Sequence, residues 1–160
     1  MRTLHITVAA LLLNGASAAA QRDSATIVFV CEHGTVKSVV ALAHFQKLAA
    51  QRGLPLRAIS RGTFPDSVLP SFMLAGLRRD GFDFARFNPS RFGESDLNGA
   101  IHVVSFDQPD VARRVAGRVP VTAWDGLPSV TADYAGASAA IRKRVAAFVD
   151  SIARVRRKSR

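Results

Sequence analysis

The sequence predicts a single three-layer α/β domain, a four-stranded parallel sheet with helices on both faces. Three observations lead there. Short β-rich apolar runs alternate with segments of helical periodicity along the chain. The runs at 26–31 and 100–105 are almost continuously apolar, as strands covered on both faces must be. The 160 residues, 48% of them hydrophobic, suffice for one core and are too few for two ordinary domains.

The N-terminus stands apart from this pattern. Arg2, the apolar run 6–13, the break at Asn14-Gly15 and the small residues 16–20 have the layout of a secretory signal peptide over residues 1–20. The expectation is an exported protein, periplasmic or secreted, cut after Ala18 or Ala20. A buried N-terminal strand or helix is the alternative for that stretch. The apolar run is too short for a stable membrane anchor, and no other stretch is long enough to span a bilayer.

Thr26-Ile-Val-Phe-Val-Cys31 reads as the first strand. Residues 38–52 follow as a helix, with Val39, Leu42, Phe45 and Leu48 on one side and Gly53 as its stop. A second strand is expected at 56–60, and a helix opens at Pro70-Ser71 and runs through Arg79. Residues 90–97 suit a short helix, 100–105 a third strand and 119–123 a fourth. The last helix is marked by Ile141, Val145, Phe148, Val149 and Ile152, spaced to share one face. The folded domain is expected over 24–153, with a basic tail at 154–160.

Charge says less than its total suggests. Lys and Arg outnumber Asp and Glu by 22 to 12, a net of +10. Arg2 and the tail cations Arg154, Arg156, Arg157, Lys158 and Arg160 account for six of those charges. The remaining excess is weak evidence for a nucleic-acid partner, and none is expected. A basic tail after a helix suits the helix dipole; contact with anionic surfaces remains open. The single cysteine, Cys31, excludes an intramolecular disulfide and a zinc cage built on several thiolates. No metal or cofactor is expected.

In α/β domains ligands sit where strands end and helices begin. The first such turn reads Cys31-Glu32-His33-Gly34-Thr35-Val36-Lys37-Ser38. Backbone N–H groups curling into a helix N-terminus form an anion-binding nest. The same dipole and Lys37 favour a thiolate, which is a nucleophile, and Ser38 is placed to donate a hydrogen bond to it. The plain alternative is a buried core cysteine at the end of an apolar run.

A strand, Cys-x5-cation-Ser and a helix resemble the low-molecular-weight protein-tyrosine phosphatases and their arsenate reductase relatives. Further segments share the resemblance. Ser60-Arg61-Gly62-Thr63 resembles the family's Ser-Ala-Gly-Thr, residues 69–83 its Pro-led helix, and Val103-Val104-Ser105-Phe106-Asp107 its strand leading to Met-Asp. Trp124-Asp125-Gly126-Leu127-Pro128 falls where the family carries its Asp-Pro loop. The resemblance implies a phosphatase loop after the first strand. In it Cys31 is the nucleophile, Lys37 stands in the arginine's place, Ser38 stabilises the sulfur, and the backbone of Glu32, His33, Gly34, Thr35, Val36 and Lys37 binds the phosphoryl oxygens. It further implies a phosphorylated small molecule or phosphoprotein as substrate.

Four departures temper it. Lys37 is a point charge where guanidinium would make a two-pronged contact. One lost charge-assisted hydrogen bond is worth roughly 1.5–3 kcal/mol, on the order of 10- to 150-fold in rate. His33-Gly34 replaces Gly-Asn, so no asparagine side chain pins the loop; His33 reads as a base, a second cation or an exposed loop residue. Val36 occupies the place of a resolving cysteine, which excludes an internal-disulfide arsenate reductase but not one using an external thiol. The acid is degenerate: counting back from Tyr134 gives Asp125, counting from Trp124 gives Ser129, and Asp133 is a further candidate. Asp125 reads equally as the first residue of an Asp-Gly turn. The expected function is hydrolysis of phosphomonoesters through a phosphocysteine, with Asp125 as acid. The alternatives are a non-catalytic oxyanion-binding pseudophosphatase, the external-thiol reductase, and a thiol redox sensor.

Overall fold

The computed structural model describes residues 25–158, so the signal-like segment and the last two residues lie outside it. The chain runs β1 (Thr26–Cys31), α1 (Lys37–Gln51), β2 (Arg57–Gly62), α2 (Ser71–Arg79), a 3-10 turn (Glu94–Leu97), β3 (Ala100–Ser105), α3 (Pro109–Val115), β4 (Val121–Ala123) and α4 (Tyr134–Lys158). The four strands are all parallel, in the order β2-β1-β3-β4. This is the three-layer α/β domain the alternation predicts.

β1 shows why its run is apolar throughout. Side chains alternate across a strand, so Ile27, Phe29 and Cys31 enter the larger core beneath α1, α2 and α4. Val28 and Val30 enter a smaller core with Val103, Val111, Val115 and Val119 on the α3 side. Phe29 sits at the centre, its ring 5.7 Å from Phe45 and 6.3 Å from both Phe106 and Trp124. Because β1 pairs with β2 and β3, its carboxyl end opens in the middle of the sheet. The loop after Cys31 therefore lies at the sheet's ligand-binding edge.

Two elements differ from expectation. No helix is predicted between Ser105 and Val119, yet α3 forms there, with Pro109 in its first turn and Val111 and Val115 buried one turn apart. Seven residues with two arginines are too few for periodicity to stand out. α4 begins at Tyr134 and continues to Lys158, so Arg154, Arg156, Arg157 and Lys158 are helical. Cations in a last helical turn oppose the negative end of its dipole.

A polar tie joins three helices behind the sheet. Tyr134 and Ser138 on α4 donate to Asp80 Oδ2 at 2.9 and 2.7 Å, and His44 Nε2 of α1 lies 3.1 Å from Ser138 Oγ. Burial, then the Asp80 bond, pushes the Tyr134 phenol up. Burial also holds His44 below its ordinary value, although the Asp80 charge works against it. Among the described residues no helix is long and apolar enough to cross a membrane.

Candidate active site

Cys31 ends β1 with only 5% of its surface exposed. Its sulfur has two donors within reach. The Gly34 N–H points at Sγ at 3.2 Å, and Ser38 Oγ lies 2.9 Å away. Ser60 Oγ, from β2, is 2.8 Å from Ser38 Oγ and 3.0 Å from the Gly34 carbonyl oxygen. A chain of hydroxyls thus runs from sulfur to backbone. It can serve either protonation state of the sulfur, because hydroxyl hydrogens rotate to suit.

The loop from Glu32 to Val36 is shaped by the segment after β2. Thr63 N–H donates to the Cys31 carbonyl at 3.1 Å, Phe64 N–H to Glu32 at 2.8 Å and Asp66 N–H to His33 at 3.1 Å. With Ser60 Oγ on the Gly34 oxygen, four consecutive carbonyls are turned the same way. Among the described residues the N–H groups of Glu32, His33, Thr35 and Val36 donate to no protein acceptor. Unpaired N–H groups gathered at a helix start make an anion cradle. Residues 60–66 thus pin a loop that has no asparagine side chain of its own to do so.

Two glycines make that clamp possible. Gly34 has φ +68°, and a Cβ on it would lie 2.7 Å from the Gly62 nitrogen. A Cβ on Gly62 would in turn lie 2.8 Å from the His33 carbonyl carbon. Backbone meets backbone there without room for a side chain. Thr35 is fully buried and its hydroxyl donates to Asp66 Oδ2.

A cleft of about 360 Å³ opens over the sulfur. Cys31, Glu32, His33, Val36 and Lys37 line one side, and Phe106, Asp107 and Gln108 follow from β3. Leu127, Ser129, Val130 and Thr131 close it. Lys37 reaches the cleft, but its Nζ is 2.5 Å from Asp107 Oδ2. Asp107 has φ +52°, a conformation uncommon outside glycine. Its Oδ1 accepts the Gly126 N–H, and its own N–H donates to Asp125 Oδ1, both at 3.1 Å. Burial raises the Asp107 carboxyl, but the bonds from Lys37 and Gly126 and the charges of Lys37 and Arg144 hold it below its ordinary value.

The structure thus brings together Cys31, the loop 32–36, Lys37 and Ser38. Asp125 is not among the residues lining the cleft. It is exposed, it precedes Gly126 at φ +68°, and its carboxylate braces Asp107. Asp133 does not line the cleft either; its Oδ1 accepts the Gly136 N–H at 3.0 Å in the first turn of α4. Sequence reasoning missed Asp107 and the clamp of Ser60, Thr63, Phe64 and Asp66. Asp107 ends the Met-Asp-like strand, and Ser60 and Thr63 lie in the Ser-Ala-Gly-Thr-like segment, so the signal for them is the resemblance and not their spacing. Among the described residues no group of three His, Cys, Asp or Glu side chains is arranged to hold a metal ion.

A thiol at the head of such a loop in a parallel α/β sheet can place a nucleophile beside a bound anion. Comparison with solved structures makes the fold specific. The chain is similar to YfkJ from Bacillus subtilis, with 21% identity, a TM-score of 0.71, and 81% of this chain and 94% of the other covered. It is similar to the YwlE arginine phosphatase from Geobacillus stearothermophilus, with 19% identity, a TM-score of 0.61 and coverages of 84% and 94%. A thioredoxin-dependent arsenate reductase from Corynebacterium glutamicum matches with 17% identity, a TM-score of 0.61 and coverages of 86% and 64%. The fold is that of the low-molecular-weight tyrosine phosphatases and arsenate reductases. No family model matches the sequence, and no curated protein matches it.

Proposed function

We propose that the protein is an exported phosphatase that cleaves phosphomonoesters through a phosphocysteine on Cys31. One observation carries this reading: the sulfur faces two donors at the mouth of a loop whose carbonyls are held back and whose N–H groups are left for an anion. Equatorial phosphoryl oxygens would bind those N–H groups, and preorganised donors of this kind stabilise charge where it develops. The Ser38 hydroxyl would support the sulfur both as attacking and as leaving group. Lys37 supplies the remaining positive charge. The solved relatives include an arginine phosphatase and a tyrosine phosphatase, which keeps phosphorylated protein side chains among the candidate substrates.

The test is turnover of an aryl phosphate by the purified chain from residue 21 onward, with Cys31→Ser beside it. Activity present in the parent and absent from the variant supports the reading; equal rates in both overturn it. Export is tested by fractionating cells that express the full chain, where an uncut cytoplasmic product would remove that part.

The engagement of Lys37 by Asp107 favours a second reading, an oxyanion binder without turnover. Lys37→Arg separates the two. A rise in rate marks a handicapped enzyme, whereas phosphate binding with no rate in either form marks a binder.

A further inference from the structure

We propose that His33 is the acid and base of the Cys31 reaction, oriented by Asp66; the inference rests on the phosphatase reading above. An oxygen leaving phosphorus needs a proton, and the donor must line the cleft that holds the sulfur. Besides Cys31, the titratable side chains there are Glu32, His33, Lys37 and Asp107. Lys37 and Asp107 pair at 2.5 Å, and that pair with the Gly126 N–H favours a charged Asp107, which has no proton to give. Residues 127–131 contribute Leu127, Ser129, Val130 and Thr131, none of them an acid. Glu32 is a mostly exposed carboxylate whose side-chain partner is the His33 ring itself, at 3.8 Å.

His33 alone in this set has the support an acid–base residue needs. Its Nδ1 is 3.3 Å from Asp66 Oδ1. Asp66 is held in turn by the Thr35 hydroxyl on its other oxygen and by its own N–H on the His33 carbonyl. The ring thus stands between two carboxylates, Asp66 Oδ1 beside Nδ1 and Glu32 Oε2 3.8 Å from Nε2, which hold it at the edge of the cleft. Imidazole can also give a proton from one ring nitrogen and take it back there.

The steps balance without a further reactant. Cys31 Sγ attacks phosphorus, the S–P bond forms and the P–O bond breaks. The departing oxygen keeps the electron pair and takes the proton from His33 Nε2. Water then attacks phosphorus and returns a proton to Nε2, while the S–P bond breaks and its pair goes back to sulfur. Inorganic phosphate leaves.

The experiment compares kcat/KM for phenyl phosphate, whose leaving oxygen needs a proton, with 2,4-dinitrophenyl phosphate, whose leaving oxygen does not. His33→Gln is expected to lose about 10²- to 10⁴-fold on the phenyl ester and less than about fivefold on the activated one. The activated ester doubles as a check that the variant is folded. Asp66→Asn, altering a positioning residue, is expected to show a smaller loss with the same selectivity. Equal losses on both esters overturn the assignment, as does a leaving-group-selective loss in Asp125→Asn with His33→Gln unaffected. A parent chain that turns over neither ester removes the phosphatase reading first and this one with it.

Discussion

At the residue scale, the sulfur's neighbours matter more than its isolation. Ser38 is fully buried 2.9 Å from Sγ, with Ser60 behind it. A hydrogen bond to a charged group is worth about 1.5–3 kcal/mol. Ser38→Ala is therefore expected to lower kcat on an aryl phosphate by roughly 10- to 150-fold and to leave KM nearly unchanged. Steady-state kinetics decide it; a change confined to KM would show that Ser38 serves binding instead. Lys37 is the other pivotal residue, since its ammonium is held by Asp107 at the cleft. Asp107→Asn should tighten inorganic phosphate binding measured by calorimetry, and weaker binding would mean that Asp107 matters chiefly as a brace for Gly126. The same variant carries a stability signature. A carboxyl whose folded value is depressed stabilises the fold above its unfolded value near 3.8 and loses that contribution as pH falls through the folded value. Acid unfolding of Asp107→Asn should accordingly begin from a lower plateau and show a shallower slope.

At the element scale, the site depends on how closely the end of β2 approaches the loop after β1. Gly62→Ala would drive a Cβ against the His33 carbonyl carbon and Pro65. The expected result is loss of the proposed phosphatase activity together with a lower melting temperature, because the clamp and the cradle share that backbone. An active Gly62→Ala would show that the clamp is dispensable. β3 offers a contrasting case. Ser105 is fully buried and its hydroxyl has no hydrogen-bond partner among the described residues. An unsatisfied buried polar group costs about 1–3 kcal/mol. Ser105→Ala should thus leave the denaturation midpoint unchanged or raise it, and a clear fall would mean that the hydroxyl is satisfied in solution.

At the scale of the whole molecule, pH acts through two histidines wedged between elements. His44 ties α1 to α4, and His102 on β3 lies 2.8 Å from Thr122 on β4. Burial holds both below their ordinary value of 6.5. The unfolded chain therefore binds more protons than the folded one just below that pH, so stability falls as pH drops from 7 to 5. Chemical denaturation at the two pH values should show this loss, and it should shrink in His44→Gln with His102→Gln; an undiminished loss would place the effect elsewhere. How legible such features are depends on their range. Continuous apolar runs such as Val28 to Val30, and the one-face spacing of Ile141 to Ile152, follow from local periodicity and can be read without coordinates. α3 was hidden because a two-valine signal in seven residues is too short to register. The clamp of Ser60 and Thr63–Asp66 on the cradle was hidden because it joins residues some thirty positions apart. By itself the sequence determined the layered domain, the strand that delivers Cys31 and the loop that follows it, all governed by local pattern. Only the tertiary structure decided that Lys37 is held by Asp107, that the Asp125 carboxylate accepts the Asp107 N–H and that His33 rests beside Asp66. Those are contacts between distant segments, and strand pairing and side-chain packing set them.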